Sequence, residues 1–183
     1  MNDFILTFTE RIGKYIMFAF ERVEGDKKTS YELILKQLKH LIEGEKDWMA
    51  NLANCASHLY HTLSDVNWAG FYLLKGNELV LGPFNGKPAC VRIPVGRGVC
   101  GTAVKEEKTQ LVEDVFAFPG HIACDAASRS EIVIPLKADG VLIGVLDIDS
   151  PVTARFTPED QTYLEQYARI LVEGTDWSPL TRA

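Results

Sequence analysis

An α+β fold, with helices at both ends of the chain packed on one face of a central antiparallel sheet, is predicted by three observations. Apolar residues recur with helical spacing near the start and the end of the chain. Between those stretches the pattern changes to the alternation of strands. Two of the alternating runs are separated only by Ala138-Asp139-Gly140, a turn sequence suited to a hairpin.

Residues 1–30 stand apart from this pattern. Phe4, Ile5, Leu6, Phe8, Ile12 and Ile16 are mixed with charges and give way to the polar break Glu24-Gly25-Asp26-Lys27-Lys28. This is an N-terminal extension of unknown role, for which a helix is the expectation. The domain proper is expected over residues 31–179. It opens with a helix from Tyr31 to Ile42, closed near Gly44. A second helix runs from Asp47 to Leu63, where Met49, Leu52, Ala53, Ala56, Leu59, Tyr60 and Leu63 form one apolar stripe. Strands follow at Trp68–Leu74 and Glu78–Leu81, around the turn Lys75-Gly76-Asn77. Gly96-Arg97-Gly98-Val99-Cys100-Gly101 feeds a short helix reaching Glu106. Strands at Glu131–Lys137 and Val141–Asp149 form the hairpin. The last helix starts at Thr157-Pro158-Glu159-Asp160, with Thr157 as N-cap, Pro158 in the first turn and acids that suit the helix dipole.

A chain of 183 residues, 46% hydrophobic and 24% charged, is long enough to bury one sizeable core. Its formal net charge of −6 argues against nucleic acid or an anionic membrane as the main partner. No apolar run approaches the roughly 20 residues that span a bilayer, and Asp3, Glu10 and Arg11 interrupt any leader-like opening. A cytoplasmic location is expected, with the four cysteines reduced at rest.

Alternation places Val141, Ile143, Val145, Asp147 and Asp149 on one face of their strand. That face is apolar until two carboxylates close it. In a hairpin turning at 138–140, Glu131 at the start of the partner strand lies beside them. Three converging acids suit a cation, an ammonium or metal, or a shared proton at raised pKa; a solvated strand end is the plainer alternative. Trp68 and Tyr72, four apart on a strand, share a face and suit the wall of an apolar pocket, although two core aromatics would be spaced the same way. Cys55 falls inside a helix and reads as a small packed hydrophobe. Cys90, Cys100 and Cys124 fall in loop-like or boundary segments. Their spacing does not match paired zinc-knuckle spacing, which makes zinc the weaker reading although His121 could add a ligand, and it is compatible with thiol redox chemistry or with buried, inert cysteines. Gly96 to Gly101 satisfies the dinucleotide pattern G-x-G-x-x-G, but no βαβ unit surrounds it, so nucleotide binding is discounted.

Several separated motifs together resemble the free methionine-(R)-sulfoxide reductases, enzymes with the GAF fold. They are Asn67-Trp68-Ala69-Gly70-Phe71-Tyr72, Leu81-Gly82-Pro83-Phe84 with Gly86-Lys87-Pro88-Ala89-Cys90, Gly96 to Gly101, Gly120-His121-Ile122-Ala123-Cys124-Asp125, Ser130-Glu131-Ile132-Val133 and Gly144-Val145-Leu146-Asp147-Ile148-Asp149. The similarity runs from about Tyr31 to the C-terminal helix. It implies Cys124 as the catalytic cysteine, Cys90 as the cysteine that forms a disulfide with it, and Cys100 as an additional resolving or relay thiol. It also implies Glu131, Asp147 and Asp149 as substrate-binding acids, with Trp68 and Tyr72 around the thioether. Thioredoxin is the implied electron donor and a homodimer the implied assembly, with no metal or organic cofactor. A non-catalytic GAF sensor of small molecules is the main rival, because fold alone does not separate the two.

Overall fold

A computed structural model describes residues 9–12, 15–18, 25–120 and 125–181. Its elements in chain order are β1 (Thr9–Ile12), β2 (Tyr15–Phe18), α1 (Lys27–Leu41), α2 (Trp48–Thr62), β3 (Trp68–Lys75), β4 (Glu78–Gly86), β5 (Arg92–Pro94), α3 (Gly98–Glu106), β6 (Gln110–Val112), β7 (Ser130–Ala138), β8 (Val141–Ser150), α4 (Pro158–Gly174) and α5 (Ser178–Thr181). A 3₁₀ turn covers Val115–Ala117.

The first expectation to be corrected concerns the extension. In place of a helix, β1 and β2 pair antiparallel as a sheet of their own, Ile12 opposite Tyr15. Only Gly-Lys separates those two residues, and β-branched and aromatic neighbours favour strand over helix there. Helix α1 also starts at Lys27, inside the stretch assigned to the extension, because Asp26 caps it by accepting from the Thr29 amide at 2.9 Å.

The main sheet has six strands in the order β5-β4-β3-β8-β7-β6, and all pairs are antiparallel. Strand β4 continues past its expected end to Gly86. The register slips between Gly70 and Tyr72, which lets Gly82 and Pro83 pass as a bulge where a proline is tolerated. Helices α1, α2 and α4 cover one face, burying Leu38, Leu52, Leu59, Phe71, Ile132, Ile148, Leu164 and Leu171 among others. The expected starts hold: Asp47 caps α2, and Thr157 with Asp160 forms a reciprocal capping box on α4. Cys55 has no exposed surface, as a packed hydrophobe should, and burial pushes its thiol pKa up to about 12. One imidazole sits in this core. His58 is fully buried between the Tyr167 hydroxyl at 2.9 Å and the Gln37 Oε1 at 3.0 Å, and burial lowers its pKa to about 4.

Helix α3 lies on the opposite face with Trp68, Tyr72, Leu79, Ile93, Val133 and Val145 beneath it. No helix among the described residues is long and apolar enough to cross a membrane.

Candidate active site

The acids converge because the hairpin has the register that alternation predicted. Glu131 pairs with Asp149 across β7 and β8, and Asp147 stands two residues back, opposite Val133. Their strand ends are not solvated, as the alternative reading had them. Glu131 and Asp147 are each only 6% exposed, and all three acids line one cleft with Trp68, Tyr72 and Cys100. Among the described residues no lysine or arginine makes an ion pair with any of the three. The Asp147 Oδ1 has no hydrogen-bond partner among those residues either.

Buried carboxylates without a counter-charge hold their protons more tightly. Burial, together with mutual repulsion, raises the pKa values of Glu131 and Asp149, and burial holds Asp147 at about 6. The cluster therefore carries fewer charges at neutral pH than three free acids would. It can accept a cation and donate a proton from the same place.

Cys100 sits in the first turn of α3, at the boundary between the glycine-rich turn and the short helix expected there. Its thiol donates to Glu131 Oε1 at 3.9 Å. Burial and the neighbouring acids push its pKa well up, so it rests as a neutral thiol. The glycines around it serve local packing. Gly98 takes a left-handed φ of 62° to open the helix, and a side chain on Gly101 would collide with the Pro94 carbonyl. With every neighbouring strand antiparallel, the dinucleotide resemblance has no structural counterpart.

Trp68 and Tyr72 share the face of the acids, their rings stacked at 5.9 Å, and Phe84 stacks on Trp68 from the other side at 5.4 Å. Gly70 leaves room for this wall: a Cβ there would meet the Trp68 ring at 2.6 Å. The polar ends of both aromatics bind the chain around Cys90. Trp68 Nε1 donates to the Lys87 carbonyl at 3.1 Å, and the Tyr72 hydroxyl donates to the Cys90 carbonyl at 2.9 Å. Cys90 is disulfide-bonded, whereas Cys55 and Cys100 carry free thiols. Cys124 and His121 lie outside the described residues.

The motif search named Asn67, Lys87 and Asp125 only as part of a resemblance, and Ser128 not at all. Lys87 Nζ donates to Asp125 Oδ1 at 3.3 Å, while Asn67 Nδ2 reaches Asp125 Oδ2 at 3.2 Å and the Ser128 hydroxyl at 3.1 Å. Asp125 also accepts from the Ala127 amide at 2.9 Å, which, with its side-chain partners, keeps its carboxyl below the usual range. The Asx turn from Asp125 to Ala127 was the one local signal available for this network.

The model of the GAF domain family matches residues 51–172. A free methionine-R-sulfoxide reductase of Escherichia coli is 57% identical over 77% of this chain and 86% of its own length. One from Saccharomyces cerevisiae is 44% identical over 80% of this chain and 86% of its own length. The X-ray structure of the free methionine-R-sulfoxide reductase from Neisseria meningitidis in complex with its substrate superposes with a TM-score of 0.82 at 48% identity, covering 86% of this chain and 95% of that one. Since the match spans sheet, helices and cleft alike, the chain belongs to the GAF-domain family of free methionine-R-sulfoxide reductases.

Proposed function

We propose that this chain reduces free L-methionine (R)-sulfoxide to methionine through cysteine sulfenic acid and disulfide chemistry, a repair of oxidised free methionine. One observation carries the reading: Glu131, Asp147 and Asp149 are gathered in a cleft beside an aromatic wall with no counter-charge from the described residues. A free amino acid supplies the missing ammonium, and its methyl sulfoxide end suits the face of Trp68 and Tyr72.

In the proposed cycle the Cys124 thiolate attacks the sulfoxide sulfur while a carboxyl of the cluster protonates the sulfoxide oxygen. That oxygen passes to the Cys124 sulfur as methionine leaves, and Cys124 becomes a sulfenic acid. The Cys90 thiol then attacks that sulfur, and the oxygen leaves as water as the Cys90–Cys124 disulfide forms. An external dithiol, thioredoxin in this scheme, takes the disulfide by exchange and restores both thiols. No metal or organic cofactor takes part. A disulfide-bonded Cys90, alongside the free thiols of Cys55 and Cys100, is consistent with the oxidised end of such a cycle. Cys100 is assigned the additional relay role; as a neutral buried thiol it acts only after losing its proton. The proposed setting is cytoplasmic, the proposed assembly a homodimer through the terminal helices, and residues 31–179 the catalytic unit.

The test mixes reduced protein with free methionine-(R)-sulfoxide, thioredoxin, its reductase and NADPH. NADPH consumption with the R epimer and none with the S epimer is the expected result. Cys124→Ser abolishes turnover, while Cys90→Ser gives about one turnover per chain and stalls as sulfenic acid. Steady-state activity retained in Cys124→Ser would overturn the assignment.

A further inference from the structure

We propose that Cys100, Glu131 and Asp147 form a binding site for a thiophilic divalent cation of the zinc type, one that excludes the amino-acid substrate. The exclusion rests on the functional reading above; the binding does not.

One ligand atom from each of the three residues lies within 4.8 Å of the other two, and all three residues are buried. They come from three separate elements: the first turn of α3, the start of β7 and the end of β8. The donors are therefore held in place before any ion arrives. Tetrahedral ligands about 2.0–2.3 Å from zinc stand roughly 3.3–3.8 Å from one another. Cys100 Sγ and Glu131 Oε1 are 3.9 Å apart, close to that separation already. A sulfur with two carboxylate oxygens suits zinc or cobalt and is a poor match for magnesium or calcium, which take oxygen donors.

A second observation points to a ligand. Among the described residues Asp147 Oδ1 is a buried acceptor with no donor, on a residue 6% exposed. A bound cation satisfies it; the described protein atoms do not. A dication coordinated there occupies the carboxylates that the substrate ammonium needs.

The experiment uses the full chain with its disulfide intact, Cys55 and Cys100 being free thiols among the described residues, and cobalt(II) as the spectroscopic stand-in for zinc. The expected result is one cobalt per chain with a sulfur-to-cobalt charge-transfer absorption, bleached by added zinc. Cys100→Ser abolishes that absorption, and Glu131→Gln, which keeps the thiol, weakens cobalt binding about tenfold or more. No absorption in the oxidised protein overturns the proposal, as does an equal signal in a Cys100→Ser variant with native near-ultraviolet dichroism. If Cys100→Ser does not fold, unchanged affinity in Glu131→Gln overturns it alone. Neither readout uses substrate or turnover, so failure of the reductase assay leaves this result independent. In an active enzyme, zinc is then expected to raise the KM for the sulfoxide and leave kcat unchanged.

Discussion

On the helix side of the sheet, Leu38, Leu52, Leu59 and Leu164 have no exposed surface, and the polar groups buried among them have partners: His58 meets Tyr167 and Gln37, and Asp160 meets Lys27, Tyr31 and Arg155. On the α3 side, Glu131 and Asp147 are buried almost as deeply, yet among the described residues no ion pair neutralises them and one oxygen of Asp147 has no partner. The same strands serve both faces. Ile132 and Ile148 point to one core while Glu131, Asp147 and Asp149 line the cleft on the other. Buried polarity that is satisfied helps to specify a fold, whereas buried polarity left waiting is destabilising until a ligand arrives. The first face carries the stability and the second gives some of it up for function.

The largest effect that sharpens this contrast is a cavity on the helix side. Leu59→Ala removes a fully buried side chain and costs about 2–5 kcal/mol, lowering Tm by roughly 5–15 °C in thermal unfolding while the KM for the sulfoxide stays put. A KM that moved with the Tm would erase the division of labour.

On the cleft side the two readouts part in the opposite sense. Asp147 titrates at about 6 in the fold against 3.8 when free, so the folded state binds more protons between those values. Its contribution therefore turns unfavourable as pH rises through that window, fully so above about 6, and vanishes below about 3.8. Asp147→Asn is expected to lower kcat/KM by about 100-fold while raising stability at pH 7 by about 1–3 kcal/mol, a gain that is gone near pH 3. A clear loss of stability at pH 7 would place Asp147 with the satisfied groups instead.

The smallest effect is a difference of slope. His58 titrates at about 4 in the fold against 6.5 when free. The unfolded chain binds the extra proton, and stability is lost as pH falls from about 6.5 to 4. The two faces thus oppose each other over the acid range. Unfolding free energies from urea titrations should fall less between pH 7 and 5 in His58→Gln, by about 2 kcal/mol, and more steeply in Asp147→Asn than in the parent chain. Parallel curves for all three proteins would break the comparison.

Much of the cleft was legible along the chain. The period of two and the short turn at 138–140 settle which residues share a face and which strand ends meet, so Glu131, Asp147 and Asp149 were found together, and Trp68 with Tyr72. Helix starts were legible where a cap and its partner lie three residues apart, as at Thr157 and Asp160. Less visible was the use of the aromatics' polar ends, which hold the chain at Lys87 and Cys90, and the Asn67–Asp125–Lys87 network. These contacts join residues 18 to 58 positions apart, and local pattern carries no information about them. The pairing of β1 with β2 was not legible, because the apolar residues there are scattered among charges without a clear period.

Sequence by itself determined the periodicity, the caps, the hairpin register and the inventory of thiols and acids, because each depends on residues within a few positions of one another. Only tertiary structure decided how deep those acids lie. Packing α3 over one face and three helices over the other removes water from Glu131 and Asp147 without supplying a counter-charge from the described residues. Desolvation is a property of everything that surrounds a group, most of it distant along the chain, and so a carboxylate's chemistry cannot be read from its neighbours in sequence.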